Sequence, residues 1–253
     1  MTPRIVAVIP ARYASSRLPG KALLEIGGRP MVQWVYEAAG RVAGIDRVVV
    51  ATDDQRIADA VAGFGGEAVM TAADHPSGTD RVAEAARQIG GEIVVNVQGD
   101  EPLLDPQVVA AAIAPLLADP AVIMASLCTP IRNAADWRDP NVVKVVCARN
   151  GDALYFSRAP IPHPRDGGEP AGLPLFKHLG LYVYRNDFLQ RLTQLPPSPL
   201  EEIERLEQLR VLEAGYRIRM VETAEDSIGV DTQSDLDRVR ALVVGSGGGG
   251  SGR

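Results

Sequence analysis

The sequence predicts an α/β fold: a doubly wound, mostly parallel sheet through the first half of the chain, followed by a smaller mixed lobe. Three observations carry this expectation. Short β-branched runs recur along the chain, they are apolar at nearly every position, and helix-like segments separate them until about residue 130. Continuous rather than alternating apolar patterning marks strands buried on both faces, as in a parallel sheet covered by helices.

The first-half strands are "RIVAVIP" (4–10), "RVVVAT" (47–52), "EIVVNVQ" (92–98) and "AVIMASLC" (121–128). Between them, 30–43 reads as a helix that opens at Pro30 and ends near Gly44, since proline favours the first turn and glycine the position past the end. Segments 54–63 and 79–89 follow the same logic, and the strand–helix–strand alternation argues for double winding. Beyond it, "VVKVVC" (142–147), "ALYFS" (153–157) and "HLGLYVY" (178–184) are strands without a full helix between them. The Pro/Gly-rich "APIPHPRDGGEPAGLP" (159–174) is a long loop, of the kind that serves as a lid or a binding loop. "SPLEEIERLEQLRVLEAG" reads as one helix. Ser198 is its N-cap, Pro199 its first turn and Glu201 completes a capping box, with Leu200, Ile203, Leu206 and Leu209 on an apolar face. A strand at 217–222 and a helix starting near Asp231 finish the fold, and "GSGGGGSGR" (245–253) reads as a flexible tail with nothing to pack.

A length of 253 residues suits one large domain or a domain with a small appendage. The net charge of −6 excludes a general basic surface for nucleic acid, so a local cationic cluster stands out. Cys128 and Cys147 lie in apolar, strand-like runs and read as buried thiols rather than a disulfide or metal site. The N-terminus lacks a signal-peptide layout and no apolar run approaches 18 residues, so a soluble, cytoplasmic protein without membrane contact is expected.

Chemistry concentrates where strands end, because open parallel sheets bind ligands at the carboxyl edge. The first such loop, "ARYASSRLPGKAL", carries Arg12, Arg17 and Lys21. It is not a Walker A loop, since position 15 is Ser and Ala22 stands where a magnesium-binding hydroxyl would be. Three cations at a turn still suit a polyphosphate, against the plainer reading of solvated surface charges. In "VNVQGDEPLLD" (95–105) an apolar strand runs into Gln98, Gly99 and Asp100. A carboxylate there is placed to hold Mg²⁺; Glu101 and Asp105 fit a polar turn and a helix cap. In "SIGVDTQSDLDRV" (227–239) Asp231 precedes a helix, so it either caps that helix or completes a two-carboxylate metal site with Asp100, with Thr232 free to take the cap. "HPSGTDR" (75–81) offers Ser77 or Thr79 as a cap, or as a base-reading loop. His75, His163 and His178 have no metal-ligand spacing.

Together "IPARYASSRLPGKAL", "VATDD", "HPSGTDR", "VNVQGDEP", "NVVKVV", "ALYFSRAPIP", "KHLGLYVYR", "PSPLEEIERLEQLRVLEAG" and "GVDTQSDLDRV" resemble the 3-deoxy-manno-octulosonate (Kdo) cytidylyltransferase family, in order from about residue 4 to 240. The opening motif alone also fits other sugar nucleotidyltransferases, and the later blocks point to the Kdo branch. The resemblance implies a nucleotide-diphospho-sugar transferase-like fold, a single domain over 1–244 with a dimerisation lobe mainly within about 130–215, and a homodimer. It implies a reaction of CTP with Kdo to CMP-Kdo and pyrophosphate, with Mg²⁺, for lipopolysaccharide biosynthesis. Carried over by motif, Arg12, Arg17 and Lys21 would hold the CTP phosphates, with Ala11 lining the nucleotide site. Ser77 would face cytosine with Gln98 nearby, and Asp100 and Asp231 would bind the metal. Arg158, His178, Tyr182, Glu207 and Gln208 would face the sugar. Two other readings remain: a cytidylyltransferase for another acidic sugar, of sialic or pseudaminic type, and a non-catalytic nucleotide binder. The presence of both carboxylates argues against the second.

Overall fold

The computed structural model describes residues 2–14, 18–168, 175–226 and 228–247. The chain resolves into two compact units, Met1–Ala110 with Ser227–Arg253, and Ala111–Asp226.

In the first unit β1 (Ile5–Ala11) is followed by a short 3-10 turn at Lys21–Leu23 and a small hairpin, β2 (Glu25–Ile26) and β3 (Arg29–Pro30). Then come α1 (Met31–Gly40), β4 (Arg47–Thr52), α2 (Gln55–Gly63), β5 (Ala68–Met70), α3 (Gly78–Ile89), β6 (Ile93–Asn96) and α4 (Pro106–Ala118). The sheet order is β6-β1-β4-β5. β1 pairs parallel with β4 (Val8↔Val49) and β6 (Ala7↔Val95), and β4 pairs parallel with β5. The uniform apolar runs are explained by burial: Ile5 to Ile9, Val49 to Ala51 and Ile93 to Val95 are 2% exposed or less. Asp54 caps α2 by accepting from Arg56 N, and Pro30 stands at the N-cap of α1. β5, three residues long, gave too short an apolar run to be read from sequence.

The second unit holds β7 (Met124–Pro130), α5 (Ala134–Arg138), β8 (Lys144–Cys147), β9 (Ala153–Ser157), β10 (Phe176–Arg185), α6 (Asn186–Leu192), α7 (Pro199–Glu204), α8 (Gln208–Glu213) and β11 (Arg219–Glu222). β10 pairs antiparallel with β7 and β8, β8 antiparallel with β9, and β11 parallel with β7, giving the mixed character expected. Lys144 is fully buried in β8, and its ammonium donates to the carbonyls of Asp139, Val142 and Arg158. Desolvation holds its pKa below the usual lysine range, with Asp139 opposing the shift. Cys128 is buried, Cys147 half-buried, and both are free thiols.

The single helix expected over 198–215 is corrected. Ser198 and Glu201 form the capping box, but Arg205 adopts φ 54°, ψ 47° and divides the segment into α7 and α8. The break turns the Glu204 carbonyl to Arg158 Nε at 2.7 Å, while the Glu204 carboxylate accepts from Ser157 Oγ at 2.6 Å and Arg158 N at 2.9 Å. These tertiary bonds stand in for the helical ones that are lost. The expected apolar face breaks with the helix: Leu206 and Leu209 are buried, whereas Ile203 is 78% exposed.

The chain returns to the first unit as α9 (Gln233–Gly247), which carries three residues into the segment read as tail. Leu236 and Val239 of α9 pack with Val230, Ile26 and Met31 in one buried cluster. Burying side chains of this kind contributes roughly 1.5–3 kcal/mol each, which fixes where α9 begins and hence where Asp231 lies.

Candidate active site

β1 is where the strand order of the first unit reverses, with β4 and β5 to one side and β6 to the other. Ligands of open α/β sheets lie outside the carboxyl ends of strands at that reversal. Ala11, 5% exposed, ends β1, and Gln98, Gly99 and Asp100 follow β6. The ends of these two strands are held close: Val97 N donates to Val8 O at 3.0 Å, and a side chain on Gly99 would sit 2.8 Å from Pro10 O. Asp100 O accepts from Val230 N at 2.9 Å, so one backbone bond docks the residue preceding Asp231 beside Asp100.

Lys21 joins the three segments. Its Nζ lies 2.6 Å from Asp100 Oδ2 and 3.2 Å from Asp231 Oδ1. The lysine side chain is 19% exposed, Asp100 29% and Asp231 47%, so the cluster is reachable from solvent. The cap of α9 is Thr232 rather than Asp231. Thr232 Oγ1 accepts from Asp235 N at 3.3 Å, and Asp235 Oδ2 accepts from Thr232 N at 2.8 Å, a reciprocal cap that does not use the Asp231 carboxylate.

The loop between Arg12 and Lys21 is braced at both ends. Gly20 N donates to Tyr13 O at 2.9 Å, and Gly20 takes φ 68° with its α-carbon against the Tyr13 ring, where a side chain would be crowded at 3.1 Å. The Arg56 guanidinium stacks 3.3 Å from the Tyr13 ring centroid and is gripped by both carboxylate oxygens of Asp54. Arg12 Nη2 donates to the carbonyls of His75 (2.6 Å) and Ser77 (3.0 Å), tying the 75–77 loop to the end of β1. Arg17 lies outside the described residues. Ser77 caps α3, accepting from Asp80 N at 3.2 Å and donating to Asp80 Oδ2 at 2.7 Å. Two supports were missed in sequence. Glu84 accepts from Ala72 N and bonds the His75 ring, and its pKa is held down chiefly by that backbone bond. Arg81 is fully buried; it donates to Thr71 Oγ1 at 2.6 Å and pairs with Asp53 at 3.0 Å. The acid pair in "VATDD" was the visible signal for the latter.

The residues expected to face a sugar lie in the second unit. β10 carries two extra residues opposite β7, since Leu179 pairs with Leu127 and Tyr182 with Ser126. This bulge makes His178 and Tyr182 next neighbours on one face, with ring centroids 5.4 Å apart instead of four residues of strand. Ser126 Oγ donates to Leu181 O at 2.8 Å, which leaves His178 Nε2–H to donate to Ser126 Oγ at 2.8 Å. Phe156 meets the histidine edge-on at 5.0 Å. Desolvation pushes the His178 pKa down to about 3 and the Tyr182 phenol up, the latter with help from the Glu207 charge. Glu207 precedes α8 and Gln208, 5% exposed, begins it. The Arg158 guanidinium donates to the carbonyls of Glu204, Pro140 and Arg205, and so holds the α7–α8 corner that precedes Glu207 and Gln208.

The neutral His178 sets a pH dependence. The unfolded chain protonates this histidine below about pH 6.5, while the folded ring stays neutral down to about 3. Its contribution is therefore complete above pH 6.5 and falls by up to about 1.4 kcal/mol per pH unit on acidification. Urea unfolding between about pH 6 and pH 4 should show this slope in the wild type and its loss in His178→Gln; equal slopes would overturn the assignment.

Fold and cluster together define an α/β nucleotidyltransferase-type protein, with a cation held by two carboxylates at the reversal of a parallel sheet. The cytidylyltransferase family profile matches residues 6–219. A 3-deoxy-manno-octulosonate cytidylyltransferase of Syntrophotalea carbinolica is 61% identical over 95% of this chain and 99% of its own, and one of Geobacter sulfurreducens is 56% identical over 93% and 97%. The chain belongs to the 3-deoxy-manno-octulosonate cytidylyltransferase family. A CMP:2-keto-3-deoxy-manno-octonic acid synthetase complexed with CTP superposes with TM-score 0.92 at 50% identity, covering 96% of this chain and 99% of that one. A 4-diphosphocytidyl-2C-methyl-D-erythritol synthase from Anaerococcus prevotii, at TM-score 0.64 and 15% identity over 95% of this chain and 98% of that one, shares the fold.

Proposed function

We propose that this chain activates Kdo with CTP, giving CMP-Kdo and pyrophosphate for lipopolysaccharide biosynthesis. The observation that carries the reading is the Lys21–Asp100–Asp231 cluster at the carboxyl edge of β1 and β6, in a chain of this family. Both substrates are anionic, so cations serve their approach as well as the leaving group, and such transfers depend mainly on positioning and electrostatics.

In this reading the first unit binds the nucleotide. Arg12 fixes the 75–77 loop assigned to cytosine, and Lys21, with Arg17 expected beside it, neutralises the departing pyrophosphate. Asp100 and Asp231 would hold Mg²⁺: their oxygens already converge on one cation, and two carboxylates plus substrate phosphates are a donor set that ion takes. When bound, Mg²⁺ neutralises phosphate charge and lowers the pKa of the attacking sugar hydroxyl.

The second unit binds the sugar. At neutral pH the His178 ring is a poor base and the Tyr182 phenol a poor acid, so both act as fixed hydrogen-bonding groups. The Arg158 clamp fixes the corner from which Glu207 and Gln208 act. Among the described residues no helix is long and apolar enough to cross a membrane.

The test is pyrophosphate release from CTP and Mg²⁺ with a panel of acidic sugars. Release with Kdo is expected. Release only with a sialic or pseudaminic acid would reassign the substrate, and silence with every sugar would leave a nucleotide binder.

A further inference from the structure

Lys21 occupies the focus of the two carboxylates. Its ammonium sits 2.6 Å from Asp100 Oδ2 and 3.2 Å from Asp231 Oδ1, in the space where a divalent cation shared by the same oxygens would lie. An oxygen whose lone pair holds an ammonium cannot direct that lone pair at Mg²⁺, and two cations at one focus repel. We propose that Lys21 is an exchangeable counter-ion, standing in for the metal in the nucleotide-free protein and moving onto the phosphates as the metal–nucleotide complex enters. The proposal rests on the reading of Asp100 and Asp231 as the metal pair.

The local structure suits an exchange confined to one side chain. The backbone around Lys21 is fixed by Lys21 N to Leu18 O (3.1 Å), Leu23 N to Gly20 O (2.8 Å) and Leu24 N to Lys21 O (3.1 Å). The ammonium itself is a compact charge on a four-carbon stem that can swing without moving that backbone. The backbone that carries each carboxylate is fixed independently of Lys21, by Val230 N to Asp100 O and by the Thr232–Asp235 cap next to Asp231, so it need not follow the lysine. Among the described residues no group of three or more acidic, histidine or cysteine side chains converges, so phosphate oxygens and water would complete any metal shell. Nucleotide-free protein should then bind a divalent ion poorly, because its two carboxylates already share one cation, which would have to be displaced. The nucleotide would bring the ion and also remove its competitor. That couples loading of the metal to loading of CTP.

The measurement is Mn²⁺ binding followed by the EPR signal of free Mn²⁺. In nucleotide-free protein, Lys21→Met should bind Mn²⁺ at least about tenfold more tightly than the wild type, since a like charge is removed from the focus. Lys21→Arg keeps the charge and should stay weak, and Lys21→Met with Asp100→Asn should lose the gain. With CTP present, the wild type should acquire a Mn²⁺ site that Asp100→Asn removes. If that CTP-dependent site appears but Lys21→Met binds Mn²⁺ no better than wild type without nucleotide, the exchange is overturned and the metal pair stands. If no Asp100-dependent Mn²⁺ appears even with CTP, the metal pair itself falls, and the exchange with it.

Discussion

Asp100→Asn is expected to lower turnover about 1,000-fold while leaving the fold in place. The substitution keeps the shape of the side chain and removes the charge that, with Asp231, defines the cation focus. Its structural cost is small, because the Lys21–Asp100 pair is partly exposed and pairs of that kind contribute about 0–1 kcal/mol. Lys21 also retains Asp231 as a partner. The backbone bond from Val230 N to Asp100 O does not depend on the side chain, so α9 stays docked. A control lies five residues away: Asp105 Oδ1 accepts from Gln107 N at 2.8 Å at the start of α4. Asp105→Ala should cost about 1 kcal/mol of stability and leave turnover near normal. Steady-state pyrophosphate release and thermal melts on both variants separate the two roles. Asp100→Asn turning over within tenfold of the wild type would remove this residue from the chemistry.

Much of the first unit was legible because burial on both faces leaves an uninterrupted apolar run, and β1, β4 and β6 each carry one. Their carboxyl ends then named the loops in which to look for chemistry, and Lys21 and Asp100 come from those loops, while Asp231 comes from the segment just before α9. What could not be read was the meeting of side chains 79 and 210 residues apart, which depends on a single backbone bond from Val230 and on the packing of Leu236 and Val239. The ambiguity over Asp231 had a local cause: it and Thr232 are adjacent capping residues, and only the reciprocal bond with Asp235 shows which one caps. In the second unit what could not be read has a different cause. The sequence from Ser198 to Gly215 has helical periodicity throughout, and the break at Arg205 follows from carbonyls demanded by Arg158, 47 residues earlier. Likewise the nearness of His178 and Tyr182 comes from two extra residues in β10, for which Gly180 was the one local hint.

Gly99→Ala tests how tightly the carboxyl edge must be held. A β-carbon at this position would lie 2.8 Å from Pro10 O and 3.5 Å from Ile9 Cγ2. The first contact is with backbone, and that backbone cannot retreat, since Pro10 and Ala11 of β1 are paired with Ala51 and Thr52 of β4. The strain must therefore move the turn after β6, and the next residue in that turn is Asp100. A displacement of a few tenths of an ångström there shifts the cation focus, and misplacement approaching 1 Å costs about 100-fold in rate. The expected result is a fall in kcat/KM of about 10- to 100-fold with a stability loss of about 1–3 kcal/mol from overpacking. Gly40→Ala is the matched control, because a β-carbon there meets nothing within 4 Å and the residue lies in α1. It should leave activity unchanged and stabilise the helix by about 0.5–1 kcal/mol. Should Gly99→Ala keep full activity and stability, the turn yields freely, and the close approach of β1 and β6 is not what positions Asp100.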